Sequence, residues 1–279
     1  MTSAEGTRPP LTVFLHIPRT GGITLRNAIR REYGSAAELY NGESILDHEH
    51  QLALVQSALD AGRQLRAVTG HFLPGVHTAL GRDDARYVTL LRDPVDRVLS
   101  HYHHSRRHGE RHSVNDDDDL AYYIGTGAGA DNLQTRVLAA QFGAPAPPAD
   151  TAALVRAEAT LEGFAVVGLT ERFTDSVLLI ADRLDWRFPR YRKRNANPAG
   201  SISLSVAEEL RAEAARRNHL DLELYEWARQ RFESDLDLRT PRARVRAAAF
   251  PTVNWLRYRM AGTRGWVMRR KAGGMGSRG

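Results

Sequence analysis

The sequence predicts an α/β fold, a doubly wound, mostly parallel sheet flanked by helices, and three observations carry that expectation. Apolar, β-rich runs recur at 11–16, 66–70 and 87–91, each short and continuous enough for a strand buried on both faces. Stretches with helical periodicity or helix-start signals lie between and after them. At 279 residues, the chain is long enough to bury a large core within one α/β domain.

The elements follow in order. Residues 1–10 are expected to be disordered, and 11–238 to form the globular domain. Strand 11–16 leads through Pro18-Arg19-Thr20-Gly21-Gly22 into a helix from about Ile23 to Tyr33, and Asp47–Ala61 reads as a second helix. After strands 66–70 and 87–91, Asp93-Pro94 opens a helix with an N-cap acid and a proline at the first helical position. Gly125–Gly129 and Gly143–Pro148 are turn-rich breaks. Residues 164–186 read as a core strand and an amphipathic helix, and Ser205–Glu233 as a closing helix.

Composition narrows the chemistry. There is no cysteine, which removes disulfides and thiol catalysis. No apolar stretch approaches the roughly 20 residues of a membrane span, and a cytoplasmic location is expected. The net charge of +6 divides into +11 on residues 239–279 and −5 on the rest. That tail interleaves Trp255, Tyr258, Trp266 and Met268 with its cations, a composition suited to peripheral contact with an anionic inner membrane face. Nucleic acid is a poorer partner because no recognition fold accompanies the charge. His101, His103 and His104 do not stack on one helix face and Asp116–Asp119 lacks calcium-loop spacing, so no metal is expected.

The most informative stretch is LTVFLHIPRTGGITLR, Leu11–Arg26. A strand feeding a glycine-bearing turn and a helix N-terminus makes an anion cradle, because glycines admit close backbone N–H approach and the helix dipole favours negative charge. Arg19 and the hydroxyls of Thr20 and Thr24 are further donors there, beside Gly21, Gly22 and Ile23. An ordinary strand–turn–helix junction is the alternative reading. The pattern GxxxxGK[ST] is absent, as is GxGxxG. In RYVTLLRDPVDRVLSHYHH, Arg86–His104, Arg92 sits where a strand ends and Ser100 lies two turns into the next helix. Carboxyl ends of strands are where open α/β sheets bind ligands. Arg97 is expected on a solvated face or paired with Asp93 or Asp96. The run LRAVTGHF, Leu65–Phe72, ends a strand in Gly70-His71.

These motifs together resemble the sulfotransferases that use 3′-phosphoadenosine 5′-phosphosulfate (PAPS), in particular the carbohydrate type (heparan sulfate 2-O-like, family 2). HIPRTGG is similar to their 5′-phosphosulfate loop, with Arg19 standing where lysine is usual, and RDPxxRxxS to their 3′-phosphate motif. The resemblance implies a P-loop-like fold and a metal-free sulfuryl transfer from PAPS, leaving 3′-phosphoadenosine 5′-phosphate (PAP), to a carbohydrate or glycolipid hydroxyl. It implies that Arg19, Thr20, Gly21, Gly22, Ile23 and Thr24 hold the 5′ end, that Arg92 and Ser100 hold the 3′-phosphate, and that Arg19 also stabilises the departing charge. It implies His71 as the base. DNLQTRVL, Asp131–Leu138, resembles a stretch near the acceptor cleft, which nominates Asn132, Gln134 and Arg136 for substrate binding. The basic run at Arg190–Asn195 nominates Lys193 and Arg194 as a loop over the 3′-phosphate. A nucleotide-dependent phosphotransferase and a non-catalytic polyanion-binding module on the same fold are the alternatives.

Overall fold

The computed structural model describes residues 9–107, 120–126, 131–186, 189, 191, 208–240, 243–245 and 247–250. Five strands form one sheet in the order β2-β3-β1-β4-β5. They are β1 Thr12–Leu15, β2 Glu38–Asn41, β3 Ala67–Gly70, β4 Arg86–Leu91 and β5 Val166–Leu169. All four strand pairings are parallel, with Leu15 opposite Gly70 on one side and Thr89 on the other. Strands β1, β3 and β5 are buried throughout, which is why they read as continuous apolar runs rather than alternating ones.

The helices are α1 Gly22–Tyr33, α2 His48–Asp60, α3 Val76–Ala79, α4 Pro94–Arg107, α5 Leu120–Thr126, α6 Leu133–Ala139, α7 Thr151–Glu162, α8 Phe173–Arg183, α9 Glu208–Arg217 and α10 His219–Asp237. From central β1 the chain winds to β2 and β3 on one side, then crosses to β4 and β5 on the other. The direction reverses between β1 and β4. Loops leaving their carboxyl ends diverge there, and the resulting crevice is the ligand site of such sheets.

Local chemistry sets the helix starts. Asp47 caps α2 by accepting from the His50 N–H, Asp150 caps α7 through the Ala153 N–H, and Asp93 Oδ1 accepts from the Asp96 N–H at 2.9 Å to open α4. The expected helix over 205–233 is instead two, divided at Asn218, whose side chain bonds the Ala214 carbonyl of α9 and the Asn132 N–H. Strand β2 was not expected, because Glu38 interrupts its apolar pattern. Glu38 is buried there against Arg26 at 2.8 Å and Arg30 at 3.2 Å.

The chain divides into two compact units, Met1–Leu236 and Asp237–Gly279. The aromatic and basic residues beyond 250 lie outside the described residues, as do most of residues 1–10. Among the described residues, no helix is long and apolar enough to cross a membrane, and no group of three metal-ligating side chains occurs.

Candidate anion-binding and catalytic site

The loop after β1 is a tight cradle. Thr20 closes it with its N–H and its hydroxyl, both donating to the Ile17 carbonyl at 3.3 and 2.9 Å. Gly21 has φ +86° and caps α1, its carbonyl accepting from the Thr24 and Leu25 N–H groups. The N–H groups of Gly22 and Ile23 then open the helix without intrahelical acceptors. A Cβ on Gly22 would stand 2.0 Å from the His16 imidazole, so glycine is what lets that ring pack beneath the cradle. The Thr20 hydroxyl is buried and occupied by Ile17, so it is not a ligand donor in this arrangement. Ile23 is half exposed at 53% and Thr24 is buried.

The second motif meets the first. Arg19 Nε donates to Ser100 Oγ at 3.1 Å, and Arg92 Nη1 donates to the Arg19 carbonyl at 3.1 Å. Residues from the ends of β1 and β4 thus converge at the reversal point of the sheet. Arg19 takes a left-handed backbone, φ +74°, to do so. Burial, and then the positive charges of Arg92 and Arg107, lower its pKa to about 10. A buried guanidinium with further positive charge beside it makes a place where an anion gains from more than one cation.

His71 follows β3, on the other side of β1. Gly70, at φ +106°, brings β3 so close to β2 that a Cβ would sit 2.0 Å from the Asn41 carbonyl. Asn41 then holds the next residue at both ends: the His71 N–H donates to the Asn41 carbonyl at 3.0 Å, and Asn41 Nδ2 donates to the His71 carbonyl at 2.7 Å. His71 Nδ1 lies 2.6 Å from the Glu43 carbonyl. A carbonyl only accepts, so Nδ1 carries the proton and Nε2 keeps its lone pair. Burial lowers the His71 pKa, which keeps the imidazole in its basic form at neutrality. His16 packs against it with the rings tilted, centroids 4.9 Å apart, and burial together with His71 and Arg19 holds His16 well below the ordinary imidazole value.

The remaining nominated residues fare differently. The Gln134 carboxamide is buried and bonds the Arg92 backbone twice, accepting from its N–H at 3.0 Å and donating to its carbonyl at 2.9 Å. Asn132 is buried, its Nδ2 donating to the Arg217 carbonyl and its Oδ1 accepting from the Asp221 N–H. Both therefore act inside the fold rather than on a ligand. Arg136 is half-buried on α6, and Lys193 and Arg194 lie outside the described residues. Arg97 corrects the expectation of a solvated face: it is fully buried, and the Asp221 and Asp131 carboxylates act on it there.

Several contributors escaped the sequence reading. Thr170, just after β5, donates to the Thr20 and Leu91 carbonyls, both at 3.0 Å, tying the cradle to the end of β4. Glu171 accepts from the Asp93 N–H at 3.0 Å, and Asp221 accepts from the Gln134 and Thr135 N–H groups at 3.1 and 2.7 Å. No local pattern marks these, because their partners lie far away in sequence.

Residues 24–132 match the family model described as the sulfotransferase domain, a span that contains His71, Arg92 and Ser100 and begins at the last residue of the cradle, Thr24. Among solved structures, the chain is similar to a sulfotransferase from Alicyclobacillus acidocaldarius, with 16% identity, 78% of this chain and 94% of that chain covered, and a TM-score of 0.45. No curated protein matches. The sulfotransferase-domain description applies to that matched span, residues 24–132 of the 279.

Proposed function

We propose that this protein transfers a sulfuryl group from PAPS to a hydroxyl of a carbohydrate or glycolipid acceptor, in the manner of the carbohydrate-type enzymes its motifs resemble. The observation that carries this reading is the convergence of Arg19, Arg92 and Ser100 at the sheet's reversal point, with a neutral imidazole at the neighbouring strand end. The site suits a nucleotide bearing anions at both ends. The α1 N-terminus with Arg19 offers one cradle, and Arg92 with the Ser100 hydroxyl offers a cation and a donor for the other.

When bound, PAPS supplies the activated sulfuryl group. His71 Nε2 accepts the proton of the incoming hydroxyl as the new oxygen–sulfur bond forms, and the Glu43 carbonyl stabilises the imidazolium through the Nδ1 proton. Arg19 and the Gly22 and Ile23 amides stabilise the negative charge that collects on the 5′-phosphate side as the sulfur–oxygen bond breaks. Ser100 and Arg92 fix the opposite end.

Titration calorimetry with PAP, AMP and ATP tests the donor assignment. PAP is expected to bind far more tightly than AMP; a tighter ATP complex would favour the phosphotransferase, and equal affinities would end the proposal. His71→Ala is expected to keep PAP affinity while sulfation of the acceptor from labelled PAPS falls about 10²–10⁴-fold. An unchanged rate would remove His71 as base, and tight PAP binding without turnover in the wild type would favour the binding module. Residues 239–279 are proposed to hold the enzyme at an anionic membrane surface. Their removal is expected to abolish co-sedimentation with phosphatidylglycerol vesicles, and retained binding would refute that role.

A further inference from the structure

Arg92 sits at the end of β4, where sheet pairing stops, and its backbone is nevertheless fixed from outside the sheet. The Gln134 carboxamide makes both bonds that a neighbouring strand would make, to the Arg92 N–H and carbonyl. The next residue is held too, because Glu171 Oε1 accepts from the Asp93 N–H at 3.0 Å. Both holders are themselves held by one helix. Asp221 accepts from the Gln134 N–H, the Thr135 N–H and the Thr135 hydroxyl, which locks the first turn of α6. Tyr225 donates its hydroxyl to Glu171 Oε2 at 2.8 Å. Asp221 and Tyr225 are four residues apart on α10 and share one face.

We propose that Gln134 and Glu171, anchored by Asp221 and Tyr225 on α10, are positioning residues that set the Arg92–Asp93 junction for recognition of a nucleotide 3′-phosphate. The inference rests on the proposed PAPS reading and deepens it by assigning the 3′-phosphate preference to residues that do not touch the nucleotide. A phosphate-binding guanidinium gains only when its backbone is already placed, because a mobile junction would lose entropy on binding. Gln134 and Glu171 hold the backbone of Arg92 and Asp93, whereas the 5′ cradle meets Arg92 through its guanidinium on the Arg19 carbonyl, so the ratio of PAP to AMP affinity, rather than either affinity alone, reads the 3′ end.

The experiment is titration calorimetry of the full chain with PAP and AMP, read as the ratio of their affinities. Gln134→Glu keeps the acceptor for the Arg92 N–H but sets an ionised oxygen against the Arg92 carbonyl. The ratio is expected to fall by about tenfold, with AMP affinity within about twofold of wild type. Lowering the pH until that carboxyl protonates restores a donor to the carbonyl, and the ratio is expected to recover relative to wild type at the same pH. Tyr225→Phe removes one hydroxyl and no bulk, and is expected to lower the ratio by about two- to fivefold. A ratio unchanged in both variants overturns the inference and leaves the PAPS reading standing. Equal losses for PAP and AMP would mean a merely structural role and overturn it as well. A wild type with no preference for PAP over AMP sinks the functional reading itself, and this inference with it.

Discussion

At the scale of single residues, the site depends on side chains that are missing as much as on those present. Gly22 is the sharpest case, because its absent Cβ is the space the His16 ring occupies. Gly22→Ala is expected to force His16 away from His71 and out from under the cradle, at a cost of about 1–3 kcal/mol in stability. Because the His16 ring lies against that of His71, the same change should displace the base as well as the anion loop. Denaturant unfolding and PAP titration together check this: the variant should lose stability and affinity in parallel. Gly22→Ala with native stability and native PAP affinity would show that the ring relocates freely. Arg19 makes the complementary point. Its left-handed backbone turns its carbonyl to Arg92 and its guanidinium to Ser100, so one residue ties the two anion sites together.

At the scale of elements, the face of α10 that carries Asp221 matters beyond its own helix. Asp221 is fully buried, satisfies three donors of the α6 first turn, and lies within electrostatic reach of the buried Arg97 of α4. Asp221→Asn would leave Arg97 with its principal countercharge removed and would replace an acceptor by a donor. The expected loss is about 3–5 kcal/mol, measurable as a lower urea midpoint. If the variant is as stable as wild type, the buried charges are not coupled as their placement implies. This element also shows what the sequence could and could not reveal. Strands β1, β3 and β4 and helices α1, α2 and α4 were legible because each has its own periodicity and its own cap or glycine. The meeting of Arg19, Arg92 and Ser100 was legible as well, since Arg19 and Arg92 follow strands whose ends share one edge of a parallel sheet and Ser100 lies two turns into the helix after Arg92. Strand β2 was hidden because Glu38 looks exposed until its arginines are seen. Gln134 and Asn132 were read as ligand donors because a carboxamide in a polar motif gives no sign of which partner it faces. Their partners, Arg92, Arg217 and Asp221, are 42 to 89 residues away. Only the folded chain brings those groups together.

At the scale of the whole molecule, the histidines link chemistry to stability through pH. Burial lowers the pKa of His16, His71 and His77 below the ordinary value of 6.5. In the unfolded chain each takes up a proton below about 6.5, whereas in the fold each stays neutral to a lower pH. Between those two values the unfolded state binds more protons, so stability rises with pH across the window and falls as pH drops through it. For His16 and His71, the slope approaches about 1.4 kcal/mol per pH unit for each ring. Asp221 acts in the opposite sense over the window that opens upward from its unfolded value, since burial raises its pKa and the fold retains a proton the unfolded chain gives up. The melting temperature is therefore expected to be flat near pH 7 to 8 and to fall from about pH 6.5 toward 5. Turnover has a different limit. It needs neutral His71, which persists to lower pH than free imidazole, so on acidification stability should begin to decline before the rate per folded molecule does. Thermal melts and initial rates over the same buffers check the order, and His71→Ala should flatten part of the acid limb of the melts. A rate that falls at higher pH than the melting temperature, and still does so in His71→Ala, would mean that the base is another group.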